Sequence, residues 1–167
     1  MVTSMSRENC GVRVFLLAES RLFRDVFVRV LARRNDIRVV GAGTPSLQSL
    51  SEVIAANPDV LLCDSLGPAL STGELLLEVR RNLPAVSIVM FGMDTDQDKF
   101  LTAVHRGVTG YVLKDASAAD IADAIRAVSN GESVCPPTLC RVLFDHVAGS
   151  EDWRPGVRAR QNLGLTR

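Results

Sequence analysis

Three of the most apolar segments of the chain are each followed by a charged residue, and they are residues 14–17, 60–63 and 111–113. Glu19 lies two positions after the first segment, Asp64 directly follows the second, and Lys114 directly follows the third. Short apolar runs of this kind predict strands of a parallel sheet that is buried on both faces. Because ligands bind beyond the carboxyl ends of the strands in such sheets, we expect a small pocket that contains two carboxylates and one ammonium group.

Predicted strands and helices alternate along the rest of the chain. Strands are predicted at residues 13–17, 37–41, 59–63, 86–91 and 110–113. Helices are predicted after a cap at Ser20 and at residues 46–56, 75–80, 96–106 and 117–129, and a short sixth helix is predicted at 138–147. Five βα units in this order predict an α/β fold with an open, doubly wound parallel sheet and helices on both faces.

The spacing of side chains within these elements carries further predictions. An apolar stripe at helical spacing in the first helix predicts its buried face, and consists of Leu22, Phe23, Val26, Phe27, Val30 and Leu31. The fifth helix offers some surface for a partner helix, and the spacing leaves open which of its apolar and small residues face the sheet instead: Ala118, Ala122, Ile125 and Val128. One of three alternating acids is expected to cap the fourth helix, from Asp94, Asp96 and Asp98. A loop before the third helix is predicted by three turn-forming residues, Gly67, Pro68 and Gly73.

Composition and charge exclude several classes of protein. The 167 residues are 47% apolar and carry a net charge of zero, so no general attraction to nucleic acid or to membranes follows. No stretch approaches the ~20 apolar residues of a membrane span, and the N-terminus lacks the apolar core of a signal peptide. The only charges after Asp152 are four arginines, which predicts a basic linker behind an acidic body.

The four cysteines follow no disulfide-framework spacing. Cys63 lies inside an apolar run and is predicted to be a buried thiol. Cys135 and Cys140 are separated by four residues and have no nearby histidine pair, which argues against a zinc site. This pattern favours a reducing, cytoplasmic compartment.

Several segments together resemble a known family, and they are NPDVLLCD, Pro68 four residues after Asp64, RRNLPAVSIVMF, RGVTGYVLKDAS and AIRAVSNGES. On these segments, residues 12–148 resemble a response-regulator receiver domain of the NarL/FixJ type, whose members carry a C-terminal helix-turn-helix that binds DNA. The resemblance implies a flavodoxin-like, five-stranded sheet in the order 2-1-3-4-5. It also implies a regulatory protein rather than an enzyme.

The resemblance divides the chain into four parts. Residues 1–11 are expected to be an N-terminal tail, and residues 12–131 the receiver domain. Residues 132–148 are expected to form a C-terminal extension helix. Residues 149–167 are expected to be a linker toward a DNA-binding domain that this chain does not contain.

The resemblance also assigns roles to individual residues. Asp64 matches the aspartate that accepts a phosphoryl group from a histidine kinase, and Lys114 matches the lysine that contacts the phosphoryl oxygens. Tyr111 matches an aromatic residue of the fifth strand that turns inward on activation. The implied partners are a histidine kinase and a second copy of the chain in a homodimer, with DNA bound only through the absent domain.

Three departures from the family pattern concern the metal and the switch. The family holds Mg²⁺ with two acids after the first strand, and these positions are Ala18 and Glu19 here. Glu19, Asp64 and the Leu66 carbonyl would still supply three oxygens, so we expect weak Mg²⁺ binding. Gly92 occupies the place of the serine or threonine that bonds the phosphoryl group in the family. The loop between the phosphoacceptor and its glycine is also one residue longer.

These departures leave other interpretations open. The simplest is an Asp64–Lys114 ion pair that only ties two strands together. A second is a phosphorylation-independent pseudo-receiver that acts as a dimerisation or interaction module. A third is a phosphatase-like hydrolase with Asp64 as nucleophile, which would need Glu19 to activate water.

Overall fold

The apolar runs form the strands of one all-parallel sheet in the computed structural model, which describes residues 11–64 and 70–150. The strands are β1 (Val12–Leu17), β2 (Ile37–Gly43), β3 (Val60–Cys63), β4 (Ser87–Met93) and β5 (Val108–Leu113). Their order in the sheet is β2-β1-β3-β4-β5. The flavodoxin-like receiver topology expected from the sequence is therefore confirmed.

Six α-helices connect or follow these strands within the described residues. They are α1 (Arg21–Ala32), α2 (Leu50–Ala56), α3 (Leu70–Asn82), α4 (Gln97–His105), α5 (Ala118–Ser129) and α6 (Pro137–Gly149). A 3-10 turn at Leu47–Ser49 replaces the first turn of the predicted second helix. Asp96 is the acid that caps α4, since its side chain accepts a hydrogen bond from the Lys99 N–H at 3.0 Å.

Alternate residues of each strand enter one of two hydrophobic clusters on opposite faces of the sheet. In β1, Phe15 and Leu17 belong to the cluster shared with α2, α3, α4 and α6. Val14 and Leu16 belong to the cluster shared with α1 and α5. A strand that is covered on both faces needs apolar side chains at nearly every position, which explains the uninterrupted runs in the sequence.

The structure shows which residues of two predicted helix faces are buried. In α1 only Leu31 is buried, and Leu22 is 75% exposed, so the apolar stripe is wider than the surface that the sheet covers. In α5, Ala122, Ile125 and Val128 are buried against the sheet and offer no surface to a partner helix.

Gly73 lies within α3 instead of in the preceding loop. The Arg106 guanidinium lies over it, and a Cβ at this position would sit far inside contact distance of that side chain. Because the end of a flexible side chain can move aside, this contact alone does not require glycine at position 73. Gly67 and Pro68 lie outside the described residues.

The chain after α5 runs along the outer edge of the sheet. The Tyr111 N–H donates to the Val134 carbonyl at 2.8 Å, and the Val134 N–H donates to the Thr109 carbonyl at 3.0 Å. α6 then packs against α4, with Leu139 buried and His146 Nε2 3.2 Å from His105 Nε2. The predicted extension helix is therefore present, and it covers the surface formed by α4 and the outer edge of β5, which we call the α4–β5 face.

The cysteines differ in part from the expectation of reduced thiols. Cys63 is buried in β3 as predicted. Cys135 and Cys140, however, are joined in a disulfide with a Cα–Cα distance of 6.0 Å. The tight turn through Pro136 and into α6 brings the two residues together, and the sequence spacing alone did not reveal it.

No helix in residues 11–64 and 70–150 is both long enough and apolar enough to cross a membrane.

Candidate functional site

Asp64 and Glu19 lie together at the carboxyl edge of the sheet, as the sequence predicted. β3 and β1 are neighbours, and the Asp64 N–H continues their pairing by donating to the Leu17 carbonyl at 3.0 Å. The Glu19 N–H donates to Asp64 Oδ2 at 3.0 Å. This backbone donor fixes the orientation of the Asp64 carboxylate at the strand end.

Ala18 stands between β1 and Glu19 and is fully buried. Its N–H donates to the Gly43 carbonyl at 3.0 Å, so the position continues the pairing of β1 with β2. The methyl side chain brings no oxygen to the pocket. Position 18, where the family has a second metal-binding carboxylate, is therefore apolar here.

Arg24 brings a cation to the same loop, and sequence reasoning missed it. Its Nη1 donates to the Ala18 carbonyl and, at 3.1 Å, to the Glu19 carbonyl. A positive side chain near the N-terminus of a helix opposes the helix dipole. That mismatch was a sequence signal that Arg24 points away from α1 toward a polar partner.

Gly92 adopts a left-handed backbone conformation with φ of 70° at the end of β4. Met90 pairs with Tyr111 and Met93 pairs with Leu113, so β4 holds one residue more than β5 here and forms a bulge. A Cβ added to Gly92 would meet only the Asp64 carbonyl oxygen, at 3.7 Å. Position 92 thus brings no hydroxyl to the site, and its backbone has a shape that serine and threonine rarely adopt.

Lys114 lies at the same edge of the sheet, beyond β5. Its N–H donates to the Met93 carbonyl at 2.9 Å, and its side chain is exposed. One strand, β4, separates β3 from β5, which places the backbones that carry Asp64 and Lys114 about 10 Å apart. A carboxylate and a long ammonium side chain at this spacing can flank a phosphoryl group. Their direct pairing stays a prediction.

Tyr111 is buried beneath the loop that follows β4. Its side chain is only 2% exposed, and the edge of its ring meets Phe100 of α4 at a centroid distance of 5.1 Å. Its hydroxyl donates to the Asp94 carbonyl at 3.3 Å. Burial, together with the negative charges of Asp94 and Asp96, raises the pKa of Tyr111 to about 12.

Asp94 fixes the loop between β4 and α4. Its carboxylate accepts hydrogen bonds from Lys99 Nζ at 2.8 Å and from the Asp96 N–H at 3.2 Å. The hydrogen bond from Lys99 is the main reason that the pKa of Asp94 lies below its usual value, and Lys114 contributes a smaller electrostatic effect. The loop is therefore fixed by hydrogen bonds to both the carboxylate and the carbonyl of Asp94.

Two of the three predicted Mg²⁺ ligands, Glu19 and Asp64, fall within the described residues. Mg²⁺ is usually bound by one or two carboxylates and retains several waters, and Glu19 and Asp64 supply two. No group of three histidine, cysteine, aspartate or glutamate side chains gathers around a common point in residues 11–64 and 70–150. The third predicted ligand, the Leu66 carbonyl, lies outside those residues.

Comparison with known proteins agrees with this geometry. A sequence model described as the response regulator receiver domain matches residues 14–126. The chain belongs to the response-regulator receiver family. The NarL/FixJ-type resemblance is also confirmed, because the solved neighbours include NarL- and LuxR-family regulators.

Individual relatives place this receiver domain among regulators of that type. It is 30% identical over 128 residues to the response regulator protein VraR of Staphylococcus aureus, covering 77% of this chain and 61% of the relative. It matches a LuxR-family two-component response regulator of Aurantimonas sp. SI85-9A1 with a TM-score of 0.72 at 22% identity, covering 83% of this chain and 99% of that one.

The signal receiver domain of NarL from Mycobacterium tuberculosis is similar with a TM-score of 0.66 at 25% identity, covering 73% of this chain and 98% of that one. The receiver thus spans about three fifths of VraR and nearly the whole of two solved receiver-sized chains. The function of the whole regulator is therefore a matter for proposal.

Proposed function

We propose that this chain is the receiver domain of a transcriptional response regulator whose phosphoacceptor is Asp64 and whose Mg²⁺ binding and switching are weakened. The observation that carries the proposal is the Asp64 carboxylate at the carboxyl edge of β3, held by the Glu19 N–H at 3.0 Å beside a fully buried Ala18. The first feature preserves the nucleophile, and the second removes a metal-binding carboxylate.

The reaction is the transfer of a phosphoryl group from a phosphohistidine of a histidine kinase. An Asp64 oxygen attacks phosphorus, a P–O bond forms, and the P–N bond breaks with its electron pair retained by the imidazole, which then takes a proton. Lys114 would pair with the phosphoryl oxygens and stabilise their charge. Neutralisation of charge on the phosphoryl oxygens is what Mg²⁺ supplies when Glu19 and Asp64 hold it.

The weakened switch follows from Gly92 and Tyr111. A phosphoryl group shifts a conformational equilibrium only through contacts that differ between the two states. Gly92 has no hydroxyl to bond the phosphoryl group, which removes one such contact. We expect phosphorylation, where it occurs, to change the α4–β5 face less than in receivers that carry the hydroxyl.

A second candidate is a phosphorylation-independent pseudo-receiver that acts as an interaction or dimerisation module. One observation favours it: Tyr111 is buried and its hydroxyl donates to the Asp94 carbonyl at 3.3 Å, so contacts within the protein alone fix this side chain. In both candidates the chain is a regulatory cytoplasmic module instead of an enzyme, and DNA is bound by a further domain.

Phosphorylation with a small phosphodonor distinguishes the two candidates. The chain is incubated with acetyl phosphate over a range of Mg²⁺ concentrations, and the mass increase of one phosphoryl group is measured on the intact protein. The proposal expects Mg²⁺-dependent labelling that needs a higher concentration in the wild type than in Ala18→Asp, which restores a carboxylate.

Two variants make the result specific. Asp64→Asn should abolish labelling, and Asp98→Asn, an exposed acid in the first turn of α4, is the matched control that should leave it unchanged. Absence of labelling in both the wild type and Ala18→Asp at saturating Mg²⁺, with the chain folded, would reject phosphorylation and leave the pseudo-receiver.

A further inference from the structure

The disulfide between Cys135 and Cys140 lies at the first turn of α6. Pro136 is the residue before the helix and Pro137 is its first residue, so Cys135 precedes the cap and Cys140 is the fourth helical residue. These are the two positions at which apolar side chains often pack together and fix the direction in which the chain enters a helix. Here the contact is covalent.

Apart from Pro137 at its first position, whose φ angle is already fixed, α6 has no side-chain cap at this end. The cap residue is Pro136, which makes no side-chain hydrogen bond to the first turn. A serine, threonine, aspartate or asparagine at this place would bond one of the unpaired N–H groups. The disulfide therefore supplies the constraint that a capping side chain supplies elsewhere.

The disulfide also joins α6 to the edge of the sheet. Val134 pairs with β5 through the Tyr111 N–H and the Thr109 carbonyl, at 2.8 and 3.0 Å, and Cys135 follows it directly. Cys135 lines a cavity of about 320 Å³ between α4, β5 and α6 that Tyr111 and Leu143 also line. A change at the cysteine pair is thus transmitted to the helix that covers the α4–β5 face.

We propose that Cys135 and Cys140 form a reversible thiol–disulfide site, which low-molecular-weight thiols and disulfides reduce and oxidise. Its oxidation state sets how firmly α6 covers the α4–β5 face. The site is distinct from the pocket of Asp64 and goes beyond the proposed phosphorylation.

Reduction of the site takes two electrons, which two thiols of the reductant supply. A thiolate of the reductant attacks one sulfur, the Cys135–Cys140 bond breaks, and a mixed disulfide forms. A second thiol resolves it, which releases the disulfide of the reductant and leaves two protein thiols. Oxidation is the reverse exchange with a small disulfide such as that of glutathione.

Two features make the site suited to exchange. Both cysteines are only partly buried, so a small thiol can reach them. The Cys140 sulfur lies 3.5 Å from the Cys135 carbonyl oxygen. In the disulfide this sulfur carries no proton, but in the reduced form its thiol can donate to that carbonyl. The first turn of α6 can therefore persist, less firmly held, after reduction.

The length of the closed loop argues for regulation over plain stabilisation. Only four residues separate the two cysteines, and disulfides that close short loops restrict the unfolded chain least. Two prolines within the loop reduce that restriction further, because their φ angles are already fixed. In the folded protein, the main effect of the bond is to fix the direction of α6 and to hold its first turn in place.

The test equilibrates the full chain in glutathione buffers of increasing reduced-to-oxidised ratio. Acid quenching, alkylation under denaturing conditions and mass measurement then count the thiols. We expect two more alkylated cysteines at reducing ratios than at oxidising ratios, and these two are Cys135 and Cys140. Hydrogen exchange of the α6 amides should quicken at least about tenfold on reduction, with β1 and β3 amides unchanged.

Variants separate the site from the rest of the protein. Cys140→Ser should show the fast exchange of α6 at every ratio, and Cys10→Ser, the control, should behave as the wild type. The response should persist in Asp64→Asn, so its failure is distinguishable from the failure of phosphorylation. A disulfide that never forms, one that resists reduction at every ratio, or α6 exchange that ignores the redox state would each overturn the proposal.

Discussion

The left-handed conformation of Gly92 yields a quantitative prediction about stability. A residue with a Cβ pays about 1–2 kcal/mol to adopt this conformation, whereas a Cβ itself would clash with nothing, since its nearest neighbour is 3.7 Å away. Loss of glycine also removes about 0.4–1 kcal/mol of unfolded-state entropy. Gly92→Ala should therefore destabilise the domain by about 1 kcal/mol, or roughly 3 °C in Tm.

Gly131 provides the matched control. It too has a positive φ, 86°, and nothing lies within 4 Å of the place where its Cβ would be. Gly131→Ala should therefore cost about the same as Gly92→Ala in urea unfolding, within about 0.5 kcal/mol. Asparagine tolerates this conformation better than alanine, so Gly92→Asn should cost less than Gly92→Ala.

A clearly stabilising Gly92→Ala would mean that the backbone at the end of β4 is not left-handed. A loss above about 3 kcal/mol would mean that the Cβ clashes and that the open space is absent. The same conformation predicts that Gly92→Ser supplies a hydroxyl at a conformational cost, so it should not raise acetyl-phosphate labelling above that of Gly92→Ala.

Three further predictions concern titration and the disulfide. The pKa of Tyr111 is raised to about 12, so its contribution to stability is complete below pH 10 and is lost between about pH 10 and 12. In Tyr111→Phe, the free energy of unfolding should therefore fall less steeply with pH across that window. A pH dependence identical to that of the wild type would contradict this prediction. The hydrogen bond from Arg126 lowers the pKa of Asp36, so the pair stabilises the fold above about pH 4 and this stabilisation is lost as the pH falls through the lowered value. Because the Asp36 side chain is 52% exposed and that of Arg126 is 33% exposed, solvent screens the pair, and Arg126→Gln should cost less than about 1 kcal/mol. NMR titration of this variant should show the Asp36 pKa rising. Reduction of the Cys135–Cys140 disulfide should lower the free energy of unfolding by about 1–2 kcal/mol. The measurement is urea unfolding with and without a phosphine reductant. A loss above about 4 kcal/mol would show that the bond stabilises more of the structure than α6.

The sheet was predictable because burial on both faces leaves an unmistakable pattern. The runs that became β1 and β3 contain no polar position, and in a chain of this length only the centre of a parallel sheet demands that. The helix faces were less predictable. Leu22 and Ile125 both fit an apolar stripe, yet Leu22 is 75% exposed and Ile125 is fully buried. Periodicity says which residues share a face, and it does not say how wide a surface the sheet will cover.

The site was predictable where strand ends alone determine it. The contact between Glu19 and Asp64 follows from two neighbouring parallel strands that end at the same edge. Contacts made by long side chains or by distant helices were not visible. Arg24 reaches back to a loop, and His105 meets His146 across 41 residues. Such contacts depend on how α1 and α6 are oriented, and sequence spacing carries no such information.

Under the proposed function, two departures at the site act in one direction. The apolar Ala18 weakens binding of the cation that would neutralise a phosphoryl group, and Gly92 removes a contact that would distinguish the two states. Moving a two-state equilibrium from 1:99 to 99:1 needs a difference in binding of about 5.5 kcal/mol. Each lost contact subtracts from that difference, so phosphorylation alone has a reduced capacity to change the α4–β5 face. A helix that covers this face and is fastened by an exchangeable bond offers a second input, and it does so without using the Asp64 pocket.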